Sequence, residues 1–218
     1  METTVLLADP SVSESGKNSR LPVFLRGARA VPFLTVVLAG QLTYSAFEAF
    51  KGSLIVPLTE TLGIRIDQFG ILMGWLGIAM FLYVPGGWIN NRFTVRSILC
   101  AWCTWRFVTG LILFSIPNLS FDVMIVIAAS WGVWDAIGWP AVVNGVAFMS
   151  QDADKKGRGL AMGLLESIRR GVEFLMNVVV IGALALWSGH TTTVMRGFAI
   201  AYTLVLVPLI FALLRRVP

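Results

Sequence analysis

Six long apolar segments divide this chain, and their lengths constrain its fold more than any other feature of the sequence. A helix needs roughly twenty apolar residues to cross the hydrocarbon core of a membrane, and each segment is of about that length or longer. The predicted spans cover residues 33–57, 69–89, 97–116, 122–149, 159–187 and 194–214. We therefore predict an all-α membrane protein in which residues 1–31 form an N-terminal tail and residues 32–218 form a domain of six transmembrane helices.

The composition agrees with a membrane location and argues against a nucleic-acid-binding protein. Of the 218 residues, 56% are hydrophobic and 13% are charged, whereas charged residues make up about a quarter of a typical soluble domain. The net charge of +5 comes largely from basic residues in short segments between the apolar spans. That distribution is typical of membrane topology, whereas a nucleic-acid-binding face gathers its basic residues into one patch.

The basic residues outside the spans fall mainly on one side of the predicted membrane. With the N-terminus placed in the cytoplasm, the inner segments contain Lys17, Arg20, Arg26, Arg29, Arg92, Arg96, Lys155, Lys156, Arg158, Arg215 and Arg216. The outer segments contain Arg65 and Arg196. Because short cytoplasmic loops are enriched in Lys and Arg, we expect a multi-pass protein of the cell membrane with both termini in the cytoplasm.

Ionisable side chains inside the predicted spans are the strongest pointers to function, because charge within a membrane is costly. They are Glu48, Lys51, Arg106, Asp135, Glu166, Arg169, Arg170 and Glu173. Acidic and basic members are equal in number, so they can neutralise one another. Two interpretations stay open: pairing between helices that serves the structure alone, and a paired network around a wet cavity that binds a polar solute.

Helical periodicity groups these charges into stripes. A helix turns about 100° per residue, so side chains three or four residues apart share a face. The predicted stripes are Gln41, Tyr44, Glu48 and Lys51 on the first helix, Trp131, Asp135 and Trp139 on the fourth, and Glu166, Arg169, Arg170 and Glu173 on the fifth. We expect the three stripes to face one cavity.

A polar, basic turn separates the second and third spans. Residues 86–96 read Gly-Gly-Trp-Ile-Asn-Asn-Arg-Phe-Thr-Val-Arg. The side chains of Asn90, Asn91 and Arg92 cannot lie in hydrocarbon without a large desolvation penalty. The chain must therefore reach the membrane surface here and turn back.

This turn resembles the loop signature of the major facilitator superfamily, Gly-x-x-x-Asp-Arg-x-Gly-x-(Arg/Lys). Gly87, Arg92 and Arg96 match it, while Asn91 stands in place of the aspartate and Thr94 in place of the second glycine. The resemblance implies that Gly87, Asn91, Arg92 and Arg96 form a gating loop.

Further stretches add to the resemblance. Pro57-Leu58, Leu62-Gly63 and Gln68-Phe69-Gly70 are similar to the family's first outer loop and the start of its second helix, and residues 156–163 resemble its connection between the fourth and fifth helices. Residues 163–171 more narrowly resemble the organophosphate and sugar-acid transporter branches. The implied fold is the N-terminal six-helix half of such a transporter, built from 3+3 helix repeats, although a charge at Arg106 on the third helix departs from the family arrangement.

The function expected from this resemblance is secondary active transport of a small polar solute, an organic anion or a sugar derivative, by symport or antiport. The expected substrate-binding residues are Gln41, Tyr44, Glu48, Lys51, Asp135, Trp139, Arg169 and Arg170, and the expected supporting charge network is Arg106, Glu166 and Glu173. The alternative is a non-transporting solute sensor, an accessory subunit of a larger carrier, or a truncated transporter.

Expected partners are the solute, the lipid bilayer and a second six-helix half, supplied by another copy or by a separate chain. We expect no nucleic acid, no cofactor, no metal and no enzymatic activity, since the sequence offers neither a Ser-His dyad nor a cluster of zinc ligands. Cys100 and Cys103 are interpreted as packing residues rather than a redox pair, and His190 as a loop residue.

Overall fold

Helices account for all the regular structure in the part of the chain that the computed structural model describes, which is residues 23–25, 30–44, 47–48, 50–151 and 155–217. Met80 and Lys155 are described by their backbone alone. Within these ranges the α-helices are α1 (Ala30–Leu42), α2 (Ile55–Leu62), α3 (Ile66–Leu76), α4 (Ala79–Asn90), α5 (Val95–Ser115), α6 (Phe121–Met149), α7 (Lys155–Leu186) and α8 (Thr191–Arg216). Most of the predicted tail, residues 1–31, lies outside the described residues.

Several of these helices have the length and composition of membrane spans. Among the described residues, α5, α6 and the segment Ser188–Arg216 qualify alone, and α3 with α4 would make a fourth span if the pair, bent by 44°, is counted as one. The 32-residue helix α7 is long enough but carries charged side chains near its middle. The all-helical class and the presence of candidate membrane spans are thus confirmed, while six spans with a 3+3 repeat stay a prediction.

The first predicted span, residues 33–57, is not a continuous helix. α1 ends at Leu42 and α2 begins at Ile55, and the described residues between them, 43–44, 47–48 and 50–54, form turns. We call residues 43–54 the α1–α2 connection. The Thr43 hydroxyl donates to the Ala39 carbonyl at 2.6 Å, a back-bond that competes with the helical ladder and bends helices. The expected stripe on one regular helix is therefore wrong, because Tyr44, Glu48 and Lys51 lie on this connection.

Glycines let α6 approach its neighbours closely. A Cβ added at Gly86 of α4 would lie 2.3 Å from the Ala136 carbonyl oxygen, and one added at Gly138 would lie 2.3 Å from Trp102 Cδ2. The Asn90 side-chain amide also donates to the Ile137 carbonyl at 2.9 Å, which ties the end of α4 to α6. These contacts fix the position of α6 against α4 and α5.

Two apolar cores fill the bundle, one containing Trp131 and Leu113 and the other containing Trp102 and Val142. Each long helix crosses from one core to the other. Arg106 lies between Trp102 and Leu113 along α5, and Asp135 lies between Trp131 and Val142 along α6. The packing therefore places charged residues of both helices at the level where the two cores meet.

Candidate functional site

Three charged side chains from three elements meet inside the bundle. Arg106 of α5 is 2% exposed and Asp135 of α6 is 5% exposed, and Glu48 comes from the α1–α2 connection. Arg106 Nη2 donates to Glu48 Oε2, and Arg106 Nη1 lies 3.6 Å from Asp135 Oδ1. We call these three residues the central triad. It combines two carboxylates with one guanidinium.

Aromatic side chains enclose the central triad and hold it in place. Trp102 Nε1 donates to Asp135 Oδ1 at 3.0 Å. The guanidinium carbon of Arg106 lies 3.9 Å from the centroid of the Trp131 ring, a cation–π contact that gains strength when water is excluded. Trp131 is in turn fixed by donating to Thr109 Oγ1 at 2.7 Å. The charges are therefore positioned by packing as well as by one another.

Some polar atoms of the site have no hydrogen-bond partner within the described part of the chain. They are Glu48 Oε1, Arg106 Nη1 and Arg169 Nε. Buried polar side-chain atoms are paired in the large majority of cases, and leaving one unpaired costs about 1–3 kcal/mol. The hydrogen-bonding capacity of one carboxylate oxygen and two guanidinium nitrogens is thus unused among the described residues.

A second set of charges follows one face of α7, and we call it the α7 ladder. Glu166 accepts from Arg169 at 2.8 Å and from Arg170 at 3.0 Å, and Arg170 also donates to Glu173 at 2.9 Å. The spacings are those of neighbours on a helix surface, as the sequence predicts. The Arg170 side chain is 67% exposed, whereas that of Arg169 is 17% exposed, so Arg169 is the member that turns inward.

Two aromatic rings join the α7 ladder to the central triad. The Arg169 guanidinium carbon lies 4.2 Å from the Trp139 ring centroid and 6.0 Å from that of Tyr44. The Arg106 guanidinium carbon lies 5.9 Å from the same Tyr44 ring. Tyr44 therefore stands between two arginines from different helices, and the site extends from the buried triad to the half-buried Arg169.

The structure distributes the predicted binding residues unevenly. Tyr44, Glu48, Asp135, Trp139 and Arg169 come together. The others are spread around them: Gln41 is buried on α1, and Lys51 and Arg170 are exposed. Glu48 is bound by Arg106 of the predicted supporting network, and no described contact of the central triad involves Lys51.

The predicted gating loop lies at the end of α4 and the start of α5. Asn91 and Arg92 are exposed and lie in the turn between the two helices, and Arg96 is half-buried. Arg92 lies over the Trp88 ring, 4.0 Å from its centroid. The role of Gly87, Asn91, Arg92 and Arg96 in gating stays a prediction.

The sequence analysis did not identify two residues of the site. Trp102 holds Asp135, and Thr109 accepts from Trp131. Both share a face of α5 with Arg106, four residues before it and three residues after it, and this helical spacing is the signal that would have found them.

Comparisons of the chain with protein-family models, with curated proteins and with solved structures give no match.

Proposed function

We propose that this chain forms the N-terminal six-helix half of a transporter of the major facilitator type, which moves a small organic anion or sugar derivative across the cell membrane. The observation that carries the proposal is the buried central triad, which is joined through Tyr44 to Arg169 and in which Glu48 Oε1 and Arg106 Nη1 make no hydrogen bond among the described residues. Ionisable groups within membrane helices usually mark a solute pathway.

The chemistry of the site suits an anion that also carries hydroxyl groups. The planar guanidinium of arginine binds carboxylate or phosphate through two parallel hydrogen bonds, and Arg169 has an unpaired Nε. Glu48 Oε1 is an acceptor for a hydroxyl group, and Tyr44 and Trp139 supply apolar faces. Small-molecule sites typically combine apolar and aromatic walls with a few polar groups.

The central triad would also serve to couple transport to protons. It holds one carboxylate more than guanidinium groups, and an uncompensated negative charge is unfavourable in a poorly hydrated interior. Uptake of one proton within the central triad relieves that imbalance. Solute binding next to Arg106 would then shift the balance between the two protonation states.

The exposed charged side chains of the α7 ladder favour a further protein partner that covers them. The side chains of Glu166 and Arg170 are 50% and 67% exposed, and charged groups near the middle of a membrane-spanning helix cannot face lipid tails without a large penalty. A second six-helix half, from another copy or a separate chain, would cover this face and enclose a water-filled cavity.

We expect both termini in the cytoplasm, and cysteine labelling tests this orientation. Gln151 and Ser188 lie near opposite ends of α7, and both are exposed. In a background with Cys100→Ala and Cys103→Ala, an impermeant maleimide should label Ser188→Cys in intact cells, and Gln151→Cys only after permeabilisation. The reverse pattern would contradict the proposed orientation.

The function itself is tested by uptake into liposomes that contain the purified chain, with a panel of sugar acids and sugar phosphates and their neutral parent sugars. Anions should be taken up and compete with one another, and neutral sugars should not. Arg169→Gln should weaken binding tenfold or more, where tenfold corresponds to about 1.4 kcal/mol, because it removes a half-buried cation beside Tyr44 and Trp139.

The matched control is Arg170→Gln, which removes an arginine from the same ladder at a more exposed position. It should change affinity about fivefold at most, since screened surface charges contribute at most about 1 kcal/mol. Equal losses for the two variants would count against the proposed site. Binding without uptake would favour the alternative, a solute sensor or an accessory subunit, which needs the same binding residues but no flux.

A further inference from the structure

The start of α5 and the end of α8 lie side by side at one end of the bundle. A Cβ added at Gly110 of α5 would lie 3.1 Å from Thr203 Cγ2 of α8. At the other end of this contact, Leu99 and Leu213 belong to one apolar core. Two helices in contact with this register run antiparallel. The α4–α5 turn and the C-terminal turn of α8 are therefore neighbours.

Two apolar grooves open on the outside of the bundle near this end. One, with a volume of about 480 Å³, lies between α5, α6 and α8 and is lined by residues that include Cys100, Val108 and Leu214. The other, of about 370 Å³, lies between α4, α5 and α6 and is lined by residues that include Ile89 and Ser97. Ala101 and Trp134 line both grooves, so the two grooves are adjacent and share a wall.

Four arginines lie at this end of the bundle, on the α4–α5 turn, the start of α5 and the end of α8. Arg96 precedes Cys100 by four residues and so shares its face of α5. Arg215 directly follows Leu214 of the groove wall, and Arg215 and Arg216 are both exposed. Arg92 is exposed on the adjoining turn. Neither residues 87–98 nor residues 213–217 contain an acidic residue, so within these two segments nothing offsets the positive charge of the arginines.

We propose that the paired grooves and the arginine cluster (Arg92, Arg96, Arg215 and Arg216) bind one anionic diacyl phospholipid. The two acyl chains would lie in the two grooves, on either side of Ala101 and Trp134. The phosphate would be bound by the arginines, which form strong charge-assisted hydrogen bonds with phosphate oxygens. Basic pockets between membrane helices are established sites for anionic headgroups.

The selectivity of this site follows from its charges. A phospholipid with a zwitterionic headgroup brings a cation next to the arginine cluster, whereas phosphatidylglycerol brings a net negative charge. The grooves alone would accept the acyl chains of either lipid. A preference between two lipids with identical acyl chains therefore tests the role of the arginines. A requirement for acyl chains tests the role of the apolar groove walls.

The two cysteines provide a direct readout on the purified full chain in mild detergent. Cys100 lines a groove and is partly exposed, while Cys103 is buried and serves as the internal reference. The alkylation rate of Cys100 by N-ethylmaleimide, followed by mass spectrometry, should fall about tenfold when phosphatidylglycerol is present at ten times its dissociation constant. Phosphatidylcholine with the same acyl chains should protect it much less at the same concentration.

The variant Arg96→Gln, Arg215→Gln, Arg216→Gln should lose the preference for phosphatidylglycerol, and Arg65→Gln at the opposite end of the bundle should keep it. Equal protection by the two lipids, or protection by glycerol phosphate without acyl chains, would overturn the proposal. Retention of the preference by the triple variant would also overturn it. If that variant fails to fold, the comparison of the two lipids on the unaltered chain still tests the proposal.

Discussion

Replacement of Arg106 with methionine should lower the free energy of unfolding by about 3–5 kcal/mol, the range measured when one partner of a buried ion pair is removed. Arg106 is 2% exposed and is the shared partner of Glu48 and Asp135 in the central triad. Methionine fills much of the space but leaves two buried carboxylates without a cation. The loss should appear as a lower unfolding midpoint in mild detergent, and in the free energy from denaturant titration.

Neutralising the two carboxylates should show how much of the stability loss comes from unpaired charge and how much from lost packing. In the Arg106→Met background, Glu48→Gln with Asp135→Asn should recover much of the lost stability, because no unpaired charge then remains. Solute binding should not return, since the cationic donor is still missing. Arg170→Met is the matched control: its side chain is 67% exposed, and breaking an exposed pair costs about 1 kcal/mol at most. If Arg106→Met costs no more than Arg170→Met, the central triad is not the buried unit described here.

Gly86→Ala should destabilise the contact between α4 and α6 by about 3 kcal/mol, the upper end of the usual range for inserting a methyl group into a packed interior. The added Cβ would lie 2.3 Å from the carbonyl oxygen of Ala136. Backbone atoms cannot move aside as a flexible side chain can, so the helices must separate. The separation should also disturb Asp135, the residue before Ala136, so binding should weaken along with stability.

Gly87, the neighbouring glycine, provides a control at which alanine should not lower the stability. A Cβ at Gly87 would meet no atom within 4 Å, and alanine is favoured over glycine inside a helix by roughly 0.5–1 kcal/mol. Gly87→Ala should therefore leave the unfolding midpoint unchanged or raise it, although Gly87 is the glycine that matches the loop signature. Equal destabilisation by Gly86→Ala and Gly87→Ala would show that α4 and α6 do not approach each other as closely as the structure places them.

Local features of the sequence were sufficient to locate the four longest helices of the described residues. The predicted spans 97–116, 122–149, 159–187 and 194–214 lie within a few residues of α5, α6, α7 and α8. Whether a segment can cross a membrane depends on its own length and apolar character. It can therefore be recognised without knowing which other segments pack against it. Pairing within the α7 ladder could be predicted for the same reason, since side chains three and four residues apart on a helix are always close.

The sequence by itself also determined which residues were candidates for the site, because charges in apolar segments are few and costly to bury. It could not determine their partners. Glu48 is three residues from Lys51, yet it is bound by Arg106, 58 residues away. That choice depends on where α5 and α6 pack against the α1–α2 connection, and on the break of the helix after Leu42. Only the tertiary structure decided it, because a buried ion pair is set by which helix faces meet and exclude water.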